Sequence, residues 1–379
     1  MRVFSVSPDR WLVSVIVSLT LIGAPMAGAA DDDRKKPPTF RERVERFWSW
    51  WEANGERVYK AVDDDGGRSI QPEVSKVLDD LSPDFGWTFG PGANGKGHSL
   101  TVTPEANSTK RPLVDYWHSK AREIPGWTFY PARQPSAELD GIEITLGGAS
   151  VSVDELWITP EVDEEAKRID ITAWNPVFDT IERDQAGSIL FVLLDAALGE
   201  QGTSDWLGGV DLGKGKSETS IPLTDLPAYI DKAFEEHGWE KMERGGTVYQ
   251  FGEPLGDFPR GDTIAGSTVC MDLVAEYLDN EGPIEQELTE SGVRFVFVQM
   301  PMTVLGEGEP VEARSKIEDI IEEKLVAADA GAYLGGALGS RSCYIDLVVF
   351  DARRAKGAIE AALKEAGLEG KYKIRSFTK

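Results

Sequence analysis

Cys343-Tyr-Ile-Asp-Leu-Val-Val-Phe350 is the stretch on which the fold of this chain turns. It carries no glycine or proline and is rich in β-branched and aromatic residues, so it reads as a strand buried on at least one face. Strand periodicity puts Ile345, Leu347 and Val349 on one side, and Tyr344, Asp346, Val348 and Phe350 on the other. Upstream, Val293–Met300 is a second strand. Pro310–Val326 follows as a helix with Ile317, Ile320, Ile321 and Leu325 on one stripe, and Gly331–Gly335 as a short strand. Downstream, Ala352–Ala366 is a helix with Ala355, Ile359 and Leu363 inward, Gly367 is its C-cap, and Lys371–Phe377 is a last strand. The order is β-α-β-β-α-β. Two split βαβ units of this kind close a four-stranded antiparallel sheet with both helices on one face, the ferredoxin-like plan.

If the helices cover Ile345, Leu347 and Val349, then Tyr344, Asp346 and Phe350 line the open face. An aromatic face on such a sheet can stack nucleic-acid bases. Acidic residues outnumber basic ones from Phe258 onward, however, so nucleic acid is not expected. The face is expected to pack on the preceding domain or on a second copy of the chain. Arg260-Gly-Asp262 lies at the start of this domain and spells an adhesion tripeptide. With Tyr344, Asp346, Phe350 and Trp50, Arg260 and Asp262 make up the candidate interaction surface.

The preceding region, 40–257, reads as an N-terminal helix-strand domain, and 258–379 as the C-terminal one. Together they give an α+β fold. Phe40, Val44, Phe47, Trp48, Trp51 and Val58 form one helical stripe, with Trp50 on its flank. A helix over Gln71–Leu81 leads into a hairpin of Phe85–Phe89 and His98–Val102. Forty residues on, Pro112, Val114, Trp117 and Gly126-Trp-Thr-Phe129 repeat the register of Pro72, Val74, Val77 and Gly86-Trp-Thr-Phe89. The spacing fits an internal duplication, or simply shared punctuation of proline opening a helix and glycine preceding a strand. Strands over Gly141–Leu146, Glu155–Thr159 and Arg168–Trp174 precede a helix over Ile181–Leu198, apolar nearly all round, and another toward His237.

The first residues read as an address. Arg2 and Arg10 precede the apolar run Trp11–Ile22, and Ala27-Gly-Ala29 supplies the small residues of a cleavage site after Ala29. The twelve-residue run is well short of the ~20 residues a membrane span needs, so no span is expected after processing. Residues 1–29 are thus a signal peptide and 30–39 a flexible leader, and the protein is expected to be secreted, periplasmic or extracellular. The net charge of −25 disfavours phosphate backbones and anionic lipid and is compatible with cationic peptides, metal ions or basic protein faces, although the plainer reading is that it serves solubility alone. Of the two cysteines, Cys270 and Cys343, the sequence allows either a disulfide or two buried thiols.

No cofactor or metal motif survives inspection. Gly331-x-x-x-Gly335-Gly336-x-x-Gly339 leads into a strand, whereas phosphate loops lead into a helix, so its glycines belong to a sharply bent hairpin. The stretch Gly208–Ser217 misses the phosphate-loop pattern in either frame. His98, His118 and His237 lack ligand spacing, and neither G-x-S-x-G nor H-E-x-x-H occurs.

Phe47-Trp-Ser-Trp-Trp51, Gly126-Trp-x-Phe129, Pro259-Arg-x-Asp262, and Gly335-Gly-x-x-Gly339 with Ile345-Asp-Leu347 are similar to a group of uncharacterised bacterial α+β proteins. The resemblance covers most of the chain after residue 29. It implies a bacterial origin and hence periplasmic or extracellular delivery, and it brings no activity or site residues. Members of that group often have no export signal, so Met1–Ala29 is a departure. On these grounds the first expectation is a non-catalytic exported protein that binds a protein partner or itself through the C-terminal sheet face. The second is an envelope or extracellular hydrolase using Asp or Glu residues, and the third an immunity-type inhibitor of a protein partner.

Overall fold

The computed structural model describes residues 37–83, 85–240 and 246–379. The expected export segment, the cleavage expected after Ala29 and the expected leader up to residue 36 lie outside the described residues. Helices and mostly antiparallel strands mix throughout, giving an α+β fold, with Arg168–Trp174 and Leu207–Leu212 paired in parallel. Among the described residues no helix is long and apolar enough to cross a membrane.

Of the described residues, 101–106 and 130–240 form one compact unit, and 37–100, 107–129 and 246–379 form the other. The second unit therefore combines segments from both sides of residue 257. The opening helices group with the C-terminal sheet because Phe350, at the end of its central strand, is an aromatic anchor for them. Its ring lies 5.8 Å from that of Phe40 and stacks on that of Tyr116 at 4.1 Å. Arg41 pairs with Asp351 at 3.4 Å beside this contact. Composition along the chain carries no trace of such a long-range grouping.

In this second unit the sheet has six strands. They run in the order Thr247–Gln250, Thr263–Thr268, Gly331–Gly339, Ser342–Val349, Arg294–Pro301, Lys373–Ser376. All of their pairings are antiparallel. The last four are the strands expected from sequence, and the first two extend the sheet beyond them. Ile345, Leu347, Val349 and Val298 pack with Ile317, Ile321 and Leu325 of helix Pro310–Ala327, and with Ile359 and Leu363 of helix Ala352–Glu365. The Gly331 strand is longer than expected and holds all four glycines within it. Gly335 has φ +154 at a bulge, and a Cβ there would strike the Ser267 carbonyl of the neighbouring strand.

The opposite sheet face is covered by the unit itself. Tyr277, from helix Met271–Asp279, sets its ring edge-on to Phe297 and Phe377 at 5.5 and 5.2 Å. The helix Phe40–Asp65 starts at a Thr39/Glu42 capping box and stops at Gly66 in the left-handed region. Trp48 and Trp51 from this helix join Trp117, Trp127 and Phe129 in an aromatic cluster. Trp48 Nε1 donates to the Trp117 carbonyl at 3.1 Å. Both stretches of the forty-residue register hold a helix, Gln71–Leu81 and Arg111–Ser119, each with proline in the first turn. The strands that follow them, Gly86–Pro91 and Trp127–Tyr130, flank His98–Thr103 in one three-stranded sheet.

The first unit is built on helix Arg183–Trp206, which packs Ile189, Leu190, Leu193 and Leu194 against Ile158, Ile169 and Ile171 of a four-stranded sheet. Most of the helix's apolar run is buried, and Phe191, 48 % exposed, is on the remaining side. At Gly199 (φ +74, ψ 157) the helix breaks its own geometry.

Candidate functional site

Arg260 is the most unusual side chain of the second unit. It is a non-glycine residue with φ +70, and its guanidinium is wholly buried. Strain at a backbone position persists only where the surroundings over-determine it. Here Nη1 pairs with Asp346 Oδ1, itself 1 % exposed, and Nη2 donates to the Tyr249 hydroxyl at 2.8 Å. The rings of Phe297, Tyr344 and Phe377 surround the guanidinium carbon at 5.4, 5.1 and 5.2 Å from their centroids. Burial opposes the charge on Arg260, but Asp346, Tyr249 and Tyr344 together outweigh it and hold its pKa above the usual value.

Asp262 staples the same segment to the sheet. Its Oδ2 accepts the backbone N–H groups of Arg341 at 2.8 Å and Ser342 at 3.0 Å, and its Oδ1 accepts the Tyr344 hydroxyl hydrogen. The Tyr344 oxygen in turn accepts the Arg260 N–H at 3.2 Å.

These contacts correct the surface read from sequence. Arg260, Asp262, Tyr344 and Asp346 do come together, but they are buried and form an internal clamp, while Phe350, also buried, packs instead on Phe40 and Tyr116. The adhesion tripeptide is accordingly not presented to solvent. Trp50 is apart from them, half-buried beside Trp51 at 5.6 Å.

What the clamp holds is the edge of the sheet. Tyr249 belongs to the outermost strand, Thr247–Gln250, and reaches Arg260 across Gly266 of the next strand. A Cβ at Gly266 would lie 2.5 Å from the Tyr249 hydroxyl, so only glycine lets the ring cross. Just beyond the strand, Phe251 N–H bonds to the Ile264 carbonyl at 2.7 Å. Antiparallel ladders alternate, so Tyr249 and Thr247 turn their backbone groups inward while Val248 and Gln250 turn theirs to the free edge. Among the described residues no strand pairs with that edge. Val248 is 81 % exposed and the strand carries no charge. The opposite edge, Lys373–Ser376, bears Lys373 and Arg375, and Ile284 bridges Thr378 just past it. Sequence reading missed Thr247–Gln250. The available signal was a β-branched and aromatic run, Thr-Val-Tyr-Gln, bounded by Gly246 and Gly252.

The first unit holds a separate polar cluster at the Gly199 break. Arg133 contacts Glu105 at 3.0 Å, Asp195 at 3.2 Å and Glu200 at 3.9 Å. Glu200 is buried and accepts hydrogen bonds from Thr103 Oγ1 at 2.5 Å and from the N–H groups of Ala106 at 2.9 Å and Arg133 at 3.2 Å. Burial pushes the Asp195 carboxyl up to about 6; Arg133 opposes this and Glu200 adds to it. One guanidinium among three carboxylates leaves net negative charge, with a proton-binding group near neutrality.

The remaining candidates are locally occupied. His98 Nε2 lies 2.8 Å from Asp63, and His118 Nε2 lies 3.0 Å from the Phe129 carbonyl. Cys270 and Cys343 are buried free thiols, and burial pushes Cys343 up to about 11. Among the described residues no three His, Cys, Asp or Glu side chains gather as a metal-binding group.

No protein family, curated protein or solved structure matches this chain.

Proposed function

We propose that this chain is an exported, non-catalytic protein-interaction module. The uncharged edge strand Thr247–Gln250, unpaired on its outer side among the described residues and tied from within by Tyr249 to Arg260, carries the reading. An exposed edge with free backbone donors and acceptors is a ready template for another polypeptide, and natural sheets ordinarily blunt such edges. The acidic charge of −25 adds a preference for basic partners. The test is affinity capture with the processed protein from its native envelope and medium, together with a broad substrate panel. A stoichiometric protein partner and no turnover are expected. Turnover abolished by a single polar substitution would overturn the reading.

The second reading, a hydrolase acting through carboxylates, is favoured by one observation: Asp195, with its carboxyl near 6, shares Arg133 with Glu200. Its test is loss of any detected turnover in Asp195→Asn.

A further inference from the structure

We infer that the Thr247–Gln250 edge takes an extended, cationic segment of a partner protein as a seventh strand, an inference that rests on the interaction-module reading. Three observations combine. The outward N–H and C=O groups of Val248 and Gln250 supply main-chain pairing, which gives strand addition its affinity. The edge is prepared from inside, because Tyr249 crosses Gly266 to the buried Arg260–Asp346 pair and so fixes the strand before any partner arrives. The two edges of the sheet are also treated differently: Lys373 and Arg375 guard one, while Thr-Val-Tyr-Gln leaves the other bare.

The choice of occupant follows from charge. A second copy carries the same strongly negative net charge, −25 for the full sequence, and is repelled as it approaches. A segment with alternating lysine or arginine is instead attracted to the acidic chain as a whole and pairs with an edge that bears no opposing charge of its own. Alternate side chains of the added strand then fall on two surfaces. One set meets Val248, and the other lies beside Tyr249 and Phe251, whose rings are 5.8 Å apart.

The experiment uses the full processed chain and an acetylated peptide, Lys-Val-Thr-Val-Lys-Val-Thr-Val-Lys, followed by fluorescence anisotropy and amide hydrogen exchange. Saturating peptide is expected to slow exchange at Val248 and Gln250 at least tenfold. Binding is expected to weaken at least tenfold when the peptide lysines become glutamate, and when alternate peptide nitrogens are methylated. Val248→Pro removes an outward donor and no ladder bond, so it is expected to abolish binding while retaining the native near-UV spectrum. If that variant misfolds, the methylated peptide tests main-chain pairing in its place. Unchanged exchange at Val248 and Gln250 under saturating peptide overturns the inference. Protection without peptide that grows with protein concentration also overturns it, by giving the edge to a second copy. If a captured native partner binds Val248→Pro as tightly as the parent, this surface is wrong while the interaction-module reading stands.

Discussion

The Tyr249 hydroxyl accepts a hydrogen bond from Arg260 Nη2 at 2.8 Å, and that bond ties the outermost strand of the sheet to its most deeply buried charge. The edge and the clamp are therefore one mechanical element, and changes to one should be felt in the other.

Tyr249→Phe leaves the ring in place and removes the acceptor for a buried charged donor. Loss of about 1–3 kcal/mol is expected, read from urea unfolding. Faster amide exchange should be concentrated at residues 247–250.

Asp346→Ala strands the Arg260 guanidinium in an apolar cage. Breaking a buried pair from one side typically costs about 3–5 kcal/mol. The double change Arg260→Met with Asp346→Leu is expected to recover more than half of that loss, because neither charge then remains to be desolvated. Comparing the denaturation midpoints of the single and double variants decides it; equal losses would show that the stranded charge is not the source of the cost.

Gly266→Ala places a methyl group against the Tyr249 hydroxyl, 2.5 Å away. Overpacking of this kind costs about 1–3 kcal/mol. The same methyl group would also lie 2.8 Å from the Gly336 carbonyl, so exchange should rise at 247–250 and 263–268 while the amides of Arg294–Pro301 stay protected.

Asp195 sets a pH dependence in the first unit. Its carboxyl is raised to about 6 in the folded chain from an ordinary 3.8, so the folded state binds the proton more tightly than the unfolded state. The sign follows: stability from this group is greatest below about 4, falls as pH rises from 4 to 6, and is lost above that. The span corresponds to on the order of 3 kcal/mol. Asp195→Asn is expected to be no less stable than the parent at pH 7 and to flatten the difference between pH 4 and 6, measured by urea midpoints at half-unit steps. An unchanged slope would place the titration elsewhere.

Much of the fold was legible because it is written in local period. Helices over Gln71–Leu81, Pro310–Ala327 and Ala352–Glu365, and the strand over Ser342–Val349, lie within a residue or so of where apolar spacing puts them. The side assignment of Tyr344, Asp346 and Phe350 against Ile345, Leu347 and Val349 was legible for the same reason. The strands Thr247–Gln250 and Thr263–Thr268 were not. One is four residues long, and the other is interrupted by Gly266, whose purpose is visible only when Tyr249 lies across it.

Side-chain alternation is a property of each short segment, so the amino-acid order alone settles the α+β character and which residues share a face. Whether a face is open or covered depends on what a segment two or three hundred residues away buries against it. Only the tertiary structure could decide that Phe40 and Tyr116 close over Phe350, that Arg260 is sealed onto Asp346, and that no described strand pairs with the edge at Val248. Burial follows from the free energy of the whole packed chain, and no local pattern encodes it.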